Sequence, residues 1–316
     1  MPTPSRLLLP LSLALLVPLQ QAHADARHRW PRWPTEISRA AAPLKQREEQ
    51  DHARVEALLE LDAYATEVIE PWLLHALGDP STSVKREALR ICFERELASC
   101  VPSALTLWSA VSEPTLRVVA LRVVALEPEG AGFDALAGAL RDDNDTMRAQ
   151  AAQILGWARL QGATRERAIA ALLAKLGDLS ANVRLFAVES LGLLGAQPAT
   201  LALARLLDDA EPTVRMATAR ALGQIGDARV AAALARALAA PNEPPVTRSI
   251  LAALALLPGD EADRELLAAL DETPAGLSSG DVGELLGLRP APSQAFLDGV
   301  AARLRDPAGA RAAMRV

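Results

Sequence analysis

Apolar residues in the middle of the chain recur at helical spacing in two short runs. The first run extends from Ile169 to Leu176, and Gly177 and Asp178 break its pattern. In the second run, the positions zero, four, seven and eight residues after Val183 form one stripe. This pattern predicts a helix, a turn and a second helix. One such pair cannot bury both of its apolar stripes alone, so it must stack on similar pairs.

The same unit occurs seven times along the chain. Alignment of the copies places an apolar anchor residue every 31 to 36 residues, and a period in the thirties is typical of solenoids. In six of the seven copies the residue before the anchor carries a side-chain oxygen, which suits the start of a helix. We therefore expect an all-α solenoid of about seven helix pairs. The anchors, from which positions in each repeat are counted, are Val84, Leu116, Met147, Val183, Val214, Val246 and Val282.

The segments around the repeats suggest how the rest of the chain is divided. Residues 44–61 and 293–304 have amphipathic patterns that predict an N-terminal capping helix and a closing helix. The solenoid is therefore expected to span residues 44–305, followed by a flexible tail at 306–316. Residues 25–43 begin with DARHRWPRWP and are interpreted as a basic aromatic linker. The alternative is an arm that docks on acidic lipid headgroups or on a partner.

The first 24 residues have the pattern of a secretory signal peptide. Arg6 precedes an apolar run from Leu7 to Leu19, and a small-x-small motif ends at Ala24. A membrane anchor is the alternative, but thirteen residues that include two prolines fall short of the ~20 needed to span a bilayer. We expect cleavage near Ala24 and export to the periplasm or the medium, with no membrane span in the mature chain.

Charge and cysteine content narrow the possible functions further. Loss of Arg6 with the leader changes the formal net charge from −6 to −7, which disfavours nucleic acid as a partner. Cys92 and Cys100 are the only cysteines, and in an oxidising compartment they could pair if the helix ends between them. On a continuous helix their Cα atoms would lie about 12 Å apart, beyond disulfide reach. Two separate buried thiols are the equal alternative.

Arginine follows the anchor directly in four repeats, where a cation in the first helical turn opposes the helix dipole. Aspartate lies five residues before the anchor in four repeats, and it could compensate through charge-assisted hydrogen bonds within or between repeats. We expect a structural ladder, with an anion-binding row of arginines as the alternative. The ladder residues are Asp79, Arg117, Asp142, Arg148, Asp178, Arg184, Asp209 and Arg215.

No catalytic or metal-binding constellation is evident in the sequence. Residues 276–280 match the G-x-S-x-G pattern of hydrolase elbows, but no histidine follows His75 to act as the base. The two cysteines cannot complete a four-ligand zinc site, and no phosphate-binding G-x-x-x-x-G-K-[ST] motif occurs. We predict no catalytic residue, no metal and no cofactor.

The motif D-x-x-x-x-V-R, followed by an alanine-rich helix that ends in L-G-x-x-G, resembles HEAT-like repeats of the short type also found in phycobilin lyases. It is clearest in Asp178–Gly195 and Asp209–Gly226, and the resemblance covers roughly residues 66 to 290. It implies a scaffold that binds protein segments. The enzymatic alternative is a lyase-type enzyme or enzyme subunit acting on a bound ligand. The deoxyhypusine hydroxylases, built on similar repeats, carry iron on His-Glu pairs that are absent here.

Several second helices carry apolar residues where polar ones are expected. Positions two, three and six after the anchor point away from the core stripe, and in this family the second helices line the concave face. We expect an apolar groove that takes a segment of another exported protein. Coverage of these side chains by neighbouring repeats is the equal alternative, and a purely structural role in the cell envelope also stays open. The groove residues are Val118, Val119, Leu185, Phe186 and Met216, rimmed by Arg122, Glu189 and Arg220.

Overall fold

The computed structural model describes residues 33–46, 48–271, 277, 279–289 and 292–305. Within these residues the regular elements are helices, and no strand occurs. The leader at 1–24, the first part of the linker and the tail at 306–316 lie outside the described residues. So do Gly276 and Ser278 of the G-x-S-x-G segment. The α-helices are α1 (Thr35–Ala40), α2 (Asp51–Leu61), α3 (Thr66–Ala76), α4 (Thr82–Glu94), α5 (Val101–Ala110), α6 (Pro114–Val124), α7 (Ala131–Ala139), α8 (Asp145–Trp157), α9 (Gly162–Leu173), α10 (Ala181–Leu193), α11 (Thr200–Ala204), α12 (Pro212–Ile225), α13 (Ala231–Ala239), α14 (Pro244–Leu256), α15 (Asp260–Asp271), α16 (Ser279–Leu286) and α17 (Gln294–Arg305).

Helices α3 to α16 form seven consecutive pairs in the described part of the chain, as the repeat pattern predicts. The second helices α4, α6, α8, α10, α12 and α14 pack on one another in chain order. The first helices contact each other much less. Because the second helices are closer together, the stack curves towards their side. The prediction of an all-α solenoid is confirmed.

Glycines permit the close approach of successive second helices. A Cβ atom added to Gly156 would lie 2.9 Å from the Cα atom of Ser190, and one added to Gly192 would lie 2.9 Å from the Cα atom of Ala221. Real Cβ contacts are almost never so short. The first glycine of the motif L-G-x-x-G therefore allows the close spacing between successive second helices.

The N-terminal end of the solenoid differs from the expected boundaries. Thr35–Ala40 is already helical, and Ile37 is buried, so the folded part begins inside the segment interpreted as a linker. The expected capping helix over 44–61 is shorter, because Pro43–Lys45 forms a 3-10 turn and α2 starts at Asp51. At the other end, α17 closes the stack over Gln294–Arg305, as expected.

The second helices begin two residues earlier than the column of side-chain oxygens suggests. The N-cap lies three positions before the anchor, at Asn144 in α8 and at Glu113 in α6. The Asn144 side chain accepts from the backbone N–H of Met147 at 3.2 Å, and Glu113 accepts from that of Leu116 at 2.9 Å. The predicted cap residues lie in the first helical turn instead.

Among the described helices, none is long and apolar enough to cross a lipid bilayer.

Candidate functional site

The expected ladder of ion pairs connects the second repeat to the third and so on to the sixth, and its last carboxylate is Glu243 rather than an aspartate. The Arg148 guanidinium donates to both carboxylate oxygens of Asp178 at 2.9 Å, and Arg184 binds both oxygens of Asp209 at 2.8 Å. All these side chains are at least four-fifths buried. The pairs, listed by their shortest nitrogen–oxygen distance, are Arg117–Asp142 at 3.0 Å, Arg148–Asp178 at 2.9 Å, Arg184–Asp209 at 2.8 Å and Arg215–Glu243 at 2.6 Å.

At the N-terminal end Asp79 pairs with Arg54 of α2 at 3.0 Å, and Arg54 is 2% exposed. The repeat pattern does not include Arg54, because α2 lies before the first repeat. Lys85 directly follows the first anchor, at the position that arginine occupies in the next four repeats. The Asp79 carboxylate, however, is bound by Arg54 of the N-terminal helix α2. The ladder therefore starts one element earlier than the repeat pattern.

Each ladder aspartate also fixes the turn that begins its own second helix. Asp178 accepts from the backbone N–H of Ser180 at 3.0 Å, and Asp209 accepts from that of Glu211 at 3.0 Å. The hydrogen bonds from Arg148 hold the pKa of the Asp178 carboxyl below its usual value, against the opposing effect of burial. This geometry explains why an arginine is tolerated in the first turn of a helix, where the dipole alone disfavours it.

The arginines complete the turn from the other side. The Nη1 atom of Arg148 donates to the carbonyl oxygens of Asp142 and Asp143, at 2.9 and 3.0 Å. Arg184 donates in the same way to the carbonyl of Asp178. The guanidiniums are thus engaged with protein on two sides, which favours the structural interpretation of the row over an anion-binding one.

The predicted apolar groove is shallower than expected. Val118, Val119, Leu185, Phe186 and Met216 are half-buried and pack against the core. They do not stand among the exposed large apolar side chains. The close approach of successive second helices brings the neighbouring helix against these positions, which the sequence pattern of one helix does not show.

The predicted rim residues do join neighbouring repeats on this face. Arg122 approaches the side-chain oxygen of Gln150 at 3.5 Å, and Arg220 lies 3.8 Å from the carboxylate of Glu189. These residues stand at positions three and six of adjacent second helices. They form a mixed apolar and charged surface, which we call the second-helix face.

Exposed apolar residues line a different part of the solenoid. Trp157, Leu193 and Leu256 are 39%, 64% and 39% exposed, and each stands ten positions after its anchor, at the C-terminal end of a second helix. Leu126 occupies the same position in the second repeat and is half-buried. The positions considered for the groove, two, three and six residues after the anchor, do not include this tenth position, although the aligned sequence shows its apolar residues.

A cleft of about 350 Å³ opens at this edge between the first three repeats. The rings of Phe93 and Trp157 are inclined at 60° to each other there, with their centroids 5.4 Å apart. Glu96 and Arg159 form an ion pair of 2.8 Å at the same place. We call this feature the edge cleft.

Cys92 and Cys100 form a disulfide beside the edge cleft. Helix α4 ends at Glu94, and Ala98–Cys100 forms a 3-10 turn, so the chain reverses between the two cysteines. Their Cα atoms are 6.3 Å apart, about half the distance expected on a continuous helix. The bond closes the loop that carries Glu96.

The described residues offer no cluster of three or more His, Cys, Asp or Glu side chains that could hold a metal ion. His52 is exposed and lies 3.5 Å from Glu56, one helical turn away. The ring of His75 contacts the carbonyl oxygen of Leu44 at 3.0 Å, which ties α3 to the N-terminal segment. Both histidines thus have contacts that explain their positions.

The central repeats match a known family. Residues 169–255 match the family of HEAT repeats, and the fold around them is a stack of helix pairs. The chain is a HEAT-like repeat protein. This HEAT-like protein is similar to YibA of Escherichia coli, with 17% identity and a TM-score of 0.51 over 71% of this chain and 82% of YibA. That similarity shows the fold alone. No curated protein sequence matches the chain.

Two further solved structures are similar to the HEAT-like protein at lower scores. Human deoxyhypusine hydroxylase in complex with glycerol is 20% identical, with a TM-score of 0.35 over 84% of this chain and 96% of that one. The complex of CpcE and CpcF of phycocyanin lyase from Nostoc sp. PCC7120 is 17% identical, with a TM-score of 0.43 over 84% and 98% of the two chains. Neither similarity supports a conclusion about the chemistry of this chain.

Proposed function

We propose that this HEAT-like protein is an exported, non-catalytic scaffold that binds a segment of another exported protein on its second-helix face. The observation that carries the proposal is the recurrence of apolar residues on this face in three of the repeats. Half-buried apolar residues lie at the same positions in the second, fourth and fifth repeats, with Arg122, Glu189 and Arg220 between them. A surface of this composition can bury apolar side chains of a partner while its rim fixes the register.

Two features support export. The sequence pattern that ends at Ala24 is that of a cleaved leader, and the geometry of Cys92 and Cys100 suits a disulfide, which persists in oxidising compartments. N-terminal sequencing of the mature protein should find Asp25 as the first residue. A mature chain that retains the leader would contradict export.

The binding face is tested by replacing Leu185 and Phe186 with Ser. Both side chains are half-buried, so the double variant should lose some stability but remain folded. Cross-linking in the exported fraction should capture the same partner with the wild type and with a Leu179→Ser control, since Leu179 is 98% exposed in a turn away from this face. The double variant should lose that partner.

Thermal unfolding of all three proteins separates binding from folding. Equal capture by the folded double variant would refute the second-helix face as the binding surface. If the double variant unfolds, Met216→Ser provides the test at a single position of the same face. Retention of the partner by that variant and by Arg220→Ser would also refute the proposal.

A further inference from the structure

The edge cleft is walled by residues that no single repeat supplies. Phe93 lies in the last turn of the second helix of the first repeat, Leu126 lies just after that of the second, and Trp157 is the last residue of that of the third. The rings of Trp157 and Phe93 are in contact, and Ala125 lines the same cleft. The result is an apolar wall made of two rings and a leucine, with part of the indole open to solvent.

Glu96 adopts a backbone conformation that disfavours its side chain. Its φ angle is +53°, the only positive value for a residue other than glycine in the described chain. The same position, twelve residues after the anchor, holds Gly195 and Gly226, with φ angles of +55° and +69°. Glycine suits this conformation because it adopts a positive φ angle without strain. The first repeat instead places a carboxylate at the cleft.

Two carboxylates, those of Glu94 and Glu96, and the guanidinium of Arg159 line the cleft. Arg90 binds Glu94 one helical turn away, so Glu96 and Arg159 are the charges left to each other at the cleft. The Glu96–Arg159 pair is 61% and 79% exposed, and such pairs contribute little to stability. An incoming cation can therefore compete with Arg159 for Glu96.

Two pairs elsewhere in the molecule show which cation fits an aromatic wall of this kind. The guanidinium of Arg117 lies 4.2 Å from the ring centre of Trp108, and that of Arg167 lies 4.2 Å from the ring centre of Phe133. A planar guanidinium can stack on a ring and still bind a carboxylate with its edge.

We propose that the edge cleft binds an arginine side chain presented by an extended segment of a partner protein. The guanidinium stacks on Trp157 and donates to Glu96, while the aliphatic stem packs against the wall formed by Phe93 and Leu126. The site lies at the ends of the second helices and is separate from the second-helix face. This proposal therefore does not depend on the function proposed above, and the two are tested separately.

The test uses the mature protein labelled with 5-fluorotryptophan and two five-residue peptides, Gly-Ser-Arg-Ser-Gly and the same peptide with citrulline, which is uncharged. The Trp157 fluorine signal is assigned from a Trp157→Leu variant, since Leu193 shows that leucine suits this position. The arginine peptide should shift this signal saturably, with an affinity at least about five times that for the citrulline peptide. Equal shifts by both peptides would overturn the proposal.

Variants of the charged pair give opposite expected effects. Glu96→Gly should weaken binding of the arginine peptide about fivefold or more without lowering the melting temperature, because glycine relieves the backbone conformation. Arg159→Ser should tighten binding several-fold, since it removes the competing guanidinium. Glu261→Gln, at an exposed position in the first turn of α15, is the control.

A merely structural role for Glu96 would lower the melting temperature and leave the preference for arginine over citrulline unchanged. That result would overturn the proposal, as would weaker binding by Arg159→Ser. If Glu96→Gly does not fold, Glu96→Gln keeps the side-chain size and removes the charge. Retention of the full preference by that variant would be equally decisive against it.

Discussion

The arginine–aspartate ladder predicts that two ion pairs between repeats contribute very differently to the free energy of unfolding, although both join an arginine to an aspartate. The pair to perturb is Arg148–Asp178, with side chains 16% and 7% exposed and two hydrogen bonds of 2.9 Å. Arg148→Met keeps the length and the apolar stem of the side chain but removes the guanidinium. Asp178 then retains a largely buried charge with its main partner missing, and the carbonyls of Asp142 and Asp143 lose a donor.

Removal of one partner from a fully buried pair costs about 3–5 kcal/mol. Partial exposure of Arg148 and the nearby Lys175, 3.8 Å from Asp178, place the expected loss near the lower limit, at about 3 kcal/mol. For a protein of this size, that loss corresponds to a decrease of roughly 6–12 °C in melting temperature. The assay is urea unfolding followed by circular dichroism at several wavelengths, because stacked repeats can unfold in parts.

The matched control is Arg167→Met. Arg167 binds Asp134 of the preceding repeat at 3.2 Å, but their side chains are 55% and 71% exposed. An exposed pair of this kind contributes about 0–1 kcal/mol, and the contact of Arg167 with the Phe133 ring adds about 0.5–1 kcal/mol, so the expected loss stays below that of Arg148→Met. A loss below about 1 kcal/mol for Arg148→Met, equal to that of the control, would refute the view that the buried ladder holds the repeats together.

The pH dependence provides a second measurement on the same pair. The pKa of Asp178 is lower in the folded chain than its usual value of about 3.9, because Arg148 donates hydrogen bonds to its carboxylate. Its stabilising effect is therefore complete above about pH 4 and is lost as the pH falls through the folded-state pKa. The stability difference between wild type and Asp178→Asn should shrink below about pH 4. A difference that stays constant down to pH 2 would contradict this assignment.

Two further predictions concern the spacing of the helices and the disulfide. Gly192→Ala should destabilise the protein by about 1–3 kcal/mol, because its Cβ atom would lie 2.9 Å from the Cα atom of Ala221; the control Gly138→Ala, with open space around it, should stabilise by about 0.5–1 kcal/mol. Replacement of Cys92 and Cys100 with Ala should lower the free energy of unfolding by about 2.5 kcal/mol, the value expected for a closed loop with a separation of eight residues. Mass spectrometry of the unreduced, alkylated wild type should find neither thiol modified, and two modified thiols would contradict the bond.

The fold could be predicted because its determinants repeat in the sequence. The anchor, the following arginine and the aspartate five residues earlier recur at one period, and each reports the same local geometry in every copy. The error in the helix starts has the same origin. The Asp178 carboxylate accepts a hydrogen bond from the backbone N–H of Ser180. Helix α10 therefore begins directly after Ser180 rather than at the oxygen-bearing residue Asn182.

The surface could not be predicted as well, because it depends on the distance between repeats. Leu185 and Phe186 point away from the core of their own pair, and the helical pattern expected them to be exposed. Gly156 and Gly192 bring adjacent helices so close that these side chains become half-buried. The residue pattern of a single repeat does not show how close the adjacent second helices lie.

The edge cleft shows how a repeat protein can separate its structural positions from its functional ones. In the fourth and fifth repeats glycine stands nine and twelve residues after the anchor, whereas the first repeat places Phe93 and Glu96 there. Glycine at the ninth position lets Gly192 approach the next helix, and glycine at the twelfth lets Gly195 adopt a positive φ angle without strain. Glu96 adopts the same conformation with a side chain that disfavours it, and both Phe93 and Glu96 line the same cleft. Departures that are unfavourable to folding and converge in space are better indicators of a binding site than exposed residues that vary without cost.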